Sequence, residues 1–398
     1  MELTAKNNAA ALMGIYVHVP YCVKKCLYCD FNSKAVKTFD SEIYARAIKL
    51  EMETKTAACS PETRLNTLYI GGGTPSVLSP KAIETIINTA RTTLSPVSGN
   101  IEITLEANPD TIDREKLASY KEAGVNRISL GIQSLNDFEL KTLGRPHDVT
   151  AALMAFDAAR AAGFDNISID LMFALPGQDM KTWEETLKKA MGLAPEHVSI
   201  YGLTIEDNTP FGMSRKDIEV TMPMEDEQIL MYKGAVQMLT DFGLRHYEIS
   251  NLAKPGMESR HNSGYWNSTP YIGLGPGAHS YYAPTNGQEG FGKRLWNEQD
   301  TDKYLRSALD GRSTVAGEEA LSKEQAITEA VLTGLRVING IDSAAFERRF
   351  GVELSEYLDL KTLTEAGLIR TKGQAVALSI EGILLSNEIF ASIGPVTS

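Results

Sequence analysis

Short apolar runs recur along the first two thirds of the chain, with amphipathic stretches between them. Runs over 14–19, 67–70, 101–106, 127–132, 166–173 and 197–204 are rich in β-branched and other apolar residues and predict strands. Helical patterns follow over 40–57, 113–122, 149–162, 180–193 and 225–242, and another opens at Ser79-Pro80, an N-cap with proline at the first helical position. In the stretch over 225–242, Ile229, Tyr232, Val236 and Leu239 share one face, and Gly243 stands just past its end. Six strand–helix units in succession predict a parallel sheet with helices outside it. The 167–173 run reads as almost continuously apolar, as doubly covered parallel strands do. Six units rather than eight predict an α/β fold with a partial (β/α)6 TIM-type barrel. Its open side could admit a large planar ligand.

Beyond about residue 250 the texture changes. Residues 251–292 are rich in glycine, proline, tyrosine and asparagine, too long for a plain connector and therefore a candidate for function. Helical patterns resume near Asp300. Ser322-x-x-Gln325 is a capping box ahead of Ile327, Val331 and Leu335 on one stripe. Two further helices over 342–350 and 356–365, then short β-like pieces, predict a mostly helical, winged-helix-like module. The expected division is a barrel core over 1–250, a connecting region over 251–298 and a helical C-terminal domain over 299–398.

Charge narrows the partners. With 39 basic against 51 acidic residues the formal charge is −12, which repels nucleic-acid phosphates and anionic lipid. Residues 321–398 carry seven basic and ten acidic residues, the wrong sign for a DNA-reading wing. No apolar run reaches the roughly 20 residues of a membrane span. The mildly apolar run over 9–19 behind Lys6 reads as a first buried strand rather than a signal peptide, because it runs straight into His18, Pro20 and cysteines.

The sharpest chemistry is Cys22-x3-Cys26-x2-Cys29, three of the chain's four cysteines. Thiolates in one short loop suit an iron–sulfur cluster or zinc in a reducing cytosol. A structural zinc site wants four ligands, usually as two separated pairs, and no second pair exists here. Such a loop could hold three irons of a cubane and leave the fourth iron open. Zinc with His18 as fourth ligand is the competing reading. Lys24 and Lys25 would offset cluster charge. Cys59 has no partner and reads as an inert helical residue. Other polar groups fall at the carboxyl ends of predicted strands, where α/β folds place their sites: Gly71–Pro75, Glu106, Gln133 and Asp170.

The cysteine triad, with Tyr28 before its third member, resembles the radical S-adenosylmethionine (radical SAM) superfamily. The resemblance implies a [4Fe–4S] cluster on Cys22, Cys26 and Cys29, with S-adenosylmethionine chelated at the open iron. Tyr16 sits just before the triad and Tyr28 lies within it. Gly72, Gly73 and Thr74 match the strand end that approaches the S-adenosylmethionine amino group, and Glu106, Gln133, Arg145 and Asp170 match positions that hold that molecule. Arg145 suits its carboxylate.

Tyr-Val-His-Val-Pro-Tyr-Cys, Gly-Gly-Gly-Thr-Pro-Ser, Leu-Glu-Ala-Asn-Pro and Ser-Leu-Gly-Ile-Gln-Ser resemble the branch that contains anaerobic coproporphyrinogen III oxidase. Within it the chain is similar to the HemW-type family of heme chaperones. Phe31 stands where the oxidase pattern has a fourth cysteine, and only 21 residues precede Cys22, where the oxidase has a longer extension. His261-Asn262-Ser263-Gly264-Tyr265-Trp266 matches the His-Asn-x-x-Tyr-Trp motif of that family. A heme iron takes an axial imidazole and its macrocycle takes aromatic walls, so His261 is a candidate heme residue, with His279 and His246 as rivals. The resemblance implies heme and recipient apo-hemoproteins as partners and a possible homodimer, while cluster chemistry suggests a small electron-donor protein and the clustered thiols a cytoplasmic location. The alternative is the oxidase itself, or another radical reaction on heme.

Overall fold

The computed structural model describes residues 11–95, 99–284 and 290–396. The start of the run over 9–19, on which the signal-peptide question turns, lies outside the described residues. Six strands form the heart of the fold: β1 (Leu12–Val19), β2 (Arg64–Gly72), β3 (Glu102–Ala107), β4 (Arg127–Gln133), β5 (Ile167–Phe173) and β6 (His197–Gly202). They pair in parallel in chain order. This is the six-unit partial barrel expected from the sequence. Its helices are α1 (Ser41–Thr56), α2 (Pro80–Thr93), α3 (Arg114–Ala123), α4 (Val149–Ala161), α5 (Met180–Gly192) and α6 (Glu225–Asp241). Five of the six starts are fixed locally by a capping side chain. Asp40, Ser79, Asp113, Asp148 and Asp179 each accept backbone N–H bonds from the first turn.

The strands are not apolar on both faces. Ile128, Leu130 and Ile132 point outward under the helices, and Arg127, Ser129, Gly131 and Gln133 point inward to a cavity. In β5, Ile167, Ile169 and Leu171 are fully buried outside, while Asp170 and Met172 face in. The apolar reading of 167–173 is therefore corrected to an alternating one. The barrel interior is a polar chamber, and the apolar core is the layer between sheet and helices.

The segment over 251–298 is part of the sheet rather than a loose connector. β7 (Arg245–Glu248) and β8 (Asn251–Ala253) add antiparallel strands beyond β6. β9 (Tyr271–Leu274) pairs in parallel with β1. β10 (His279–Tyr282), β11 (Lys293–Asn297) and β12 (Val315–Ala320) then continue that edge antiparallel, making twelve strands in all. To pass from one edge to the other the chain crosses the barrel's amino-terminal mouth, and there it forms α7 (Arg260–Trp266). The extension is anchored by Glu51 of α1, which is 4% exposed. Its carboxylate accepts from Asn297 Nδ2 (2.6 Å), Thr314 Oγ1 (2.7 Å) and Gly275 N (3.0 Å), and pairs with Lys55 at 2.9 Å. So many partners are what a buried charge requires.

After α8 (Thr301–Leu309), the C-terminal part contains α9 (Lys323–Gly334), α10 (Ser343–Phe350) and α11 (Leu360–Glu365). With β13 (Ile341–Asp342), β14 (Ile369–Lys372) and β15 (Ala375–Leu378), an antiparallel three-stranded sheet, it has a winged-helix-like outline. The capping box of Ser322 and Gln325 forms as expected. The helix expected over 356–365 begins only at Leu360, because Leu354–Glu356 makes a 3-10 turn and Asp359 caps α11. Among the described residues no helix is long and apolar enough to cross a membrane.

Candidate cofactor and ligand site in the barrel

A cavity of about 340 Å³ runs from the carboxyl ends of the strands down the barrel interior. All three clustered cysteines are on its wall and none is in a disulfide. The loop that carries them is tied back by Lys25, whose ammonium donates to the Phe31 and Ser33 carbonyls at 3.0 and 3.2 Å. Among the described residues no three His, Cys, Asp or Glu side chains converge well enough to hold a single metal ion. His18, the fourth ligand of the zinc reading, has both nitrogens engaged, with Tyr16 OH at 3.0 Å and the Asn32 carbonyl at 2.9 Å. Three thiols spread around one wall fit a cubane, whose irons each take one thiolate, better than a mononuclear ion.

Facing the cysteines is the end of β2. Gly72 has φ +115°, a left-handed conformation that favours glycine, and its N–H donates to Glu106 Oε2 at 3.0 Å. A Cβ on Gly73 would stand 2.9 Å from Cys22 Sγ. Any larger residue there would push on the thiol. Thr74 Oγ1 accepts from Asn108 Nδ2 at 3.1 Å.

The inward carboxylates are held differently. Glu106 accepts from Tyr69 OH at 2.7 Å as well as from Gly72, yet burial lifts its pKa to about 7. Asp170 accepts from Ser129 Oγ at 3.1 Å, and burial raises it as well. Gln133 sits on the wall with φ +69°, strained for a non-glycine residue, where the β4–β5 register shifts. Arg145 donates to Cys26 Sγ (3.2 Å), Asn108 Oδ1 (2.8 Å) and the Gly131 carbonyl (2.7 Å). Its Nε is buried with no partner, a donor that an anionic ligand would satisfy. Tyr28 is on the wall, and burial raises its hydroxyl.

Two expected site residues are placed elsewhere. Tyr16 is not on the cavity wall; its ring stacks on Tyr69, with centroids 6.2 Å apart. His261 is on α7, below the barrel, and is 4% exposed. Its Nδ1 bonds Thr67 Oγ1 and its Nε2 bonds Tyr265 OH, both at 2.8 Å. Burial, with Arg127 nearby, lowers its pKa to about 3. With both nitrogens engaged, the ring ties α7 to β2 in this structure. The motif's Asn262 does reach the cavity, while Tyr265 and Trp266 wall a second one. His246 is engaged too, at 3.3 Å from the Ile249 carbonyl. Cys59 lies just past α1 rather than on it.

The sequence reading missed Arg127, His197, Ser199 and Tyr201 on the same wall. Arg127 is 2% exposed, and its side chain makes no hydrogen bond or ion pair among the described residues. The signal was present: each is an inward position in a strand that alternates apolar and polar.

A radical SAM superfamily model matches residues 16–190 and a HemN C-terminal domain model matches residues 321–385. The chain therefore belongs to the radical SAM superfamily, and the cysteine loop and glycine turn lie inside the matched span. More narrowly, it belongs to the family whose curated members include the heme chaperone HemW of Bacillus subtilis. That relative is 36% identical over 383 residues, covering 96% of this chain and 99% of its own. HemW of Escherichia coli is 40% identical over 268 residues, covering 67% of this chain and 69% of its own. Among solved structures, coproporphyrinogen III oxidase (HemN) from Escherichia coli superposes with a TM-score of 0.80, over 96% of this chain and 90% of that one. At 22% identity this shows a shared fold.

Proposed function

We propose that this chain is a heme chaperone that carries a [4Fe–4S] cluster, binds S-adenosylmethionine and heme, and passes heme to apo-hemoproteins. The observation that carries the first part is one cavity with three free thiols on one wall and Gly72, Gly73, Glu106 and Asp170 on it as well. Cys22, Cys26 and Cys29 would hold the cluster. Gly72, Gly73, Thr74, Gln133 and Arg145 would hold the methionine part, Glu106 and Asp170 the ribose hydroxyls and positive charge, and Tyr16 would support Tyr69 from behind. When bound, the cluster can supply one electron to S-adenosylmethionine, giving a 5′-deoxyadenosyl radical. The chain's own residues exclude water, orient the ligand and keep two carboxylates beside a cation. The core over 1–250 would do this work, with 251–298 and the C-terminal domain over 299–398 supporting the cargo.

Heme rather than coproporphyrinogen is favoured by Phe31, which is 59% exposed at the cavity rim where the oxidase pattern has a cysteine. The full-length similarity to proteins named heme chaperones supports the same reading. A cytoplasmic location, a small electron-donor protein and a homodimer belong to this proposal. The test is one anaerobically reconstituted sample. Iron and sulfide analysis should give about four of each per chain, lost on changing any of Cys22, Cys26 or Cys29 to Ala. Hemin should then give a saturable Soret change, and coproporphyrinogen III should not be converted. Conversion to the vinyl product without hemin binding would establish the oxidase instead.

A further inference from the structure

The chain has six histidines, and the structure separates one from the rest. His18, His197 and His261 have both ring nitrogens hydrogen-bonded. His246 bonds the Ile249 carbonyl. His147 is 6% exposed, with Nε2 on the Ile132 carbonyl and Nδ1 buried. His279 alone is solvent-exposed and makes no hydrogen bond among the described residues. Among the described residues its only ring neighbour is Trp296, stacked with centroids 6.2 Å apart.

The surroundings of His279 are set by the register of the sheet extension. His279 is paired across from Trp296, Tyr281 from Arg294, and Tyr271 from Tyr281. Side chains two apart on a strand share a face, so these five project from one face. Two residue pairs along from His279, at Tyr281 and Arg294, this face opens into a second cavity of about 280 Å³. Its walls include Tyr265, Trp266, Tyr271 and Tyr281, with Arg294 and Arg349 on its border. Arg294 pairs with Glu329 at 2.5 Å and lies across the strand pair from Glu319, whereas Arg349 has no carboxylate partner among the described residues. Trp266 Nε1 is buried with no acceptor.

A free imidazole, a flat aromatic surface and, two residues along the same face, a cavity bordered by two guanidinium groups match an iron-bearing aromatic macrocycle with carboxylate arms. We propose that this face of the extension is the heme site, with His279 as iron ligand and Arg294 and Arg349 facing the propionates. This rests on the reading of the chain as a heme chaperone. It also gives the His-Asn-x-x-Tyr-Trp motif a different role: His261 pins α7 under the barrel so that Tyr265 and Trp266 wall the site.

The test is a hemin titration of the full chain, read by Soret absorbance and low-temperature electron paramagnetic resonance, on wild type, His279→Ala and His261→Ala. His279→Ala should lose the histidine-ligated spectrum and bind hemin roughly tenfold or more weakly, and free imidazole should restore the spectrum. Because His279 is exposed, the variant's circular dichroism should match wild type. Arg294→Gln should weaken hemin roughly tenfold or more and leave hemin dimethyl ester, which lacks free carboxylates, at its wild-type affinity. A histidine-ligated spectrum that persists in His279→Ala, or that disappears in a folded His261→Ala instead, overturns the assignment while heme binding stands. Failure of the wild-type chain to bind hemin removes the functional reading, and this assignment with it.

Discussion

The Glu106 carboxyl should make the affinity for S-adenosylmethionine strongly pH-dependent. In the ligand-free chain burial raises it from an ordinary 4.5 to about 7, despite bonds from Tyr69 and Gly72 that favour the charged form. That rise corresponds to about 3 kcal/mol. A cationic ligand beside the carboxylate needs the ionised form and repays that cost. Affinity should therefore climb with pH up to about 7 and then level off. Between pH 5.5 and 7.5 the expected gain is roughly 25-fold, if the bound state returns the carboxyl to its ordinary range. Close to one proton should be released on binding at pH 6. Without ligand the sign reverses: a raised carboxyl contributes stability that is complete below its unfolded value and is lost as pH climbs through about 7. Isothermal titration in two buffers of different ionisation enthalpy, from pH 5.5 to 7.5, reads both affinity and proton release. Glu106→Gln should lose most of the slope and bind like wild type at low pH. The reasoning is refuted by a wild-type affinity that is flat over this range, or by a variant that keeps the full slope.

Three other outcomes are expected. Gly73→Ala should block cluster assembly, measured as iron and sulfide content, because its Cβ would stand 2.9 Å from Cys22 Sγ and 2.8 Å from the Tyr21 carbonyl. His261→Ala should cost about 2–4 kcal/mol in denaturant unfolding, since it leaves Thr67 without its imidazole partner and a gap beneath the barrel. Arg127→Met should stabilise the ligand-free chain by about 1 kcal/mol or more, because it removes a buried cation that has no ion pair. A loss of stability in that last variant would mean that Arg127 serves Glu106 and Asp170 at longer range.

The six strands and their helices were legible because each is specified locally. Asp40, Ser79, Asp113, Asp148 and Asp179 cap from adjacent residues, and outward Ile and Leu repeat at fixed spacing. The cysteine loop was legible for the same reason, since three thiols within eight residues come to one cavity wall. The second half of the site was not. Arg127, His197 and Tyr201 looked like ordinary polar strand residues until the barrel turned them toward one cavity.

The histidines show where the boundary lies. Sequence alone determined that six imidazoles exist and that one sits in a motif with Tyr265 and Trp266. It could not tell an engaged ring from a free one, because the partners of His261 come from β2, 194 residues away, as well as from its own helix. Only the crossing of the chain beneath the barrel brought the His261 ring to Thr67, and only the sheet extension left His279 exposed. Local spacing writes helices, caps and cysteine loops into neighbouring residues, whereas hydrogen-bond satisfaction and burial depend on which distant strands the sheet brings together.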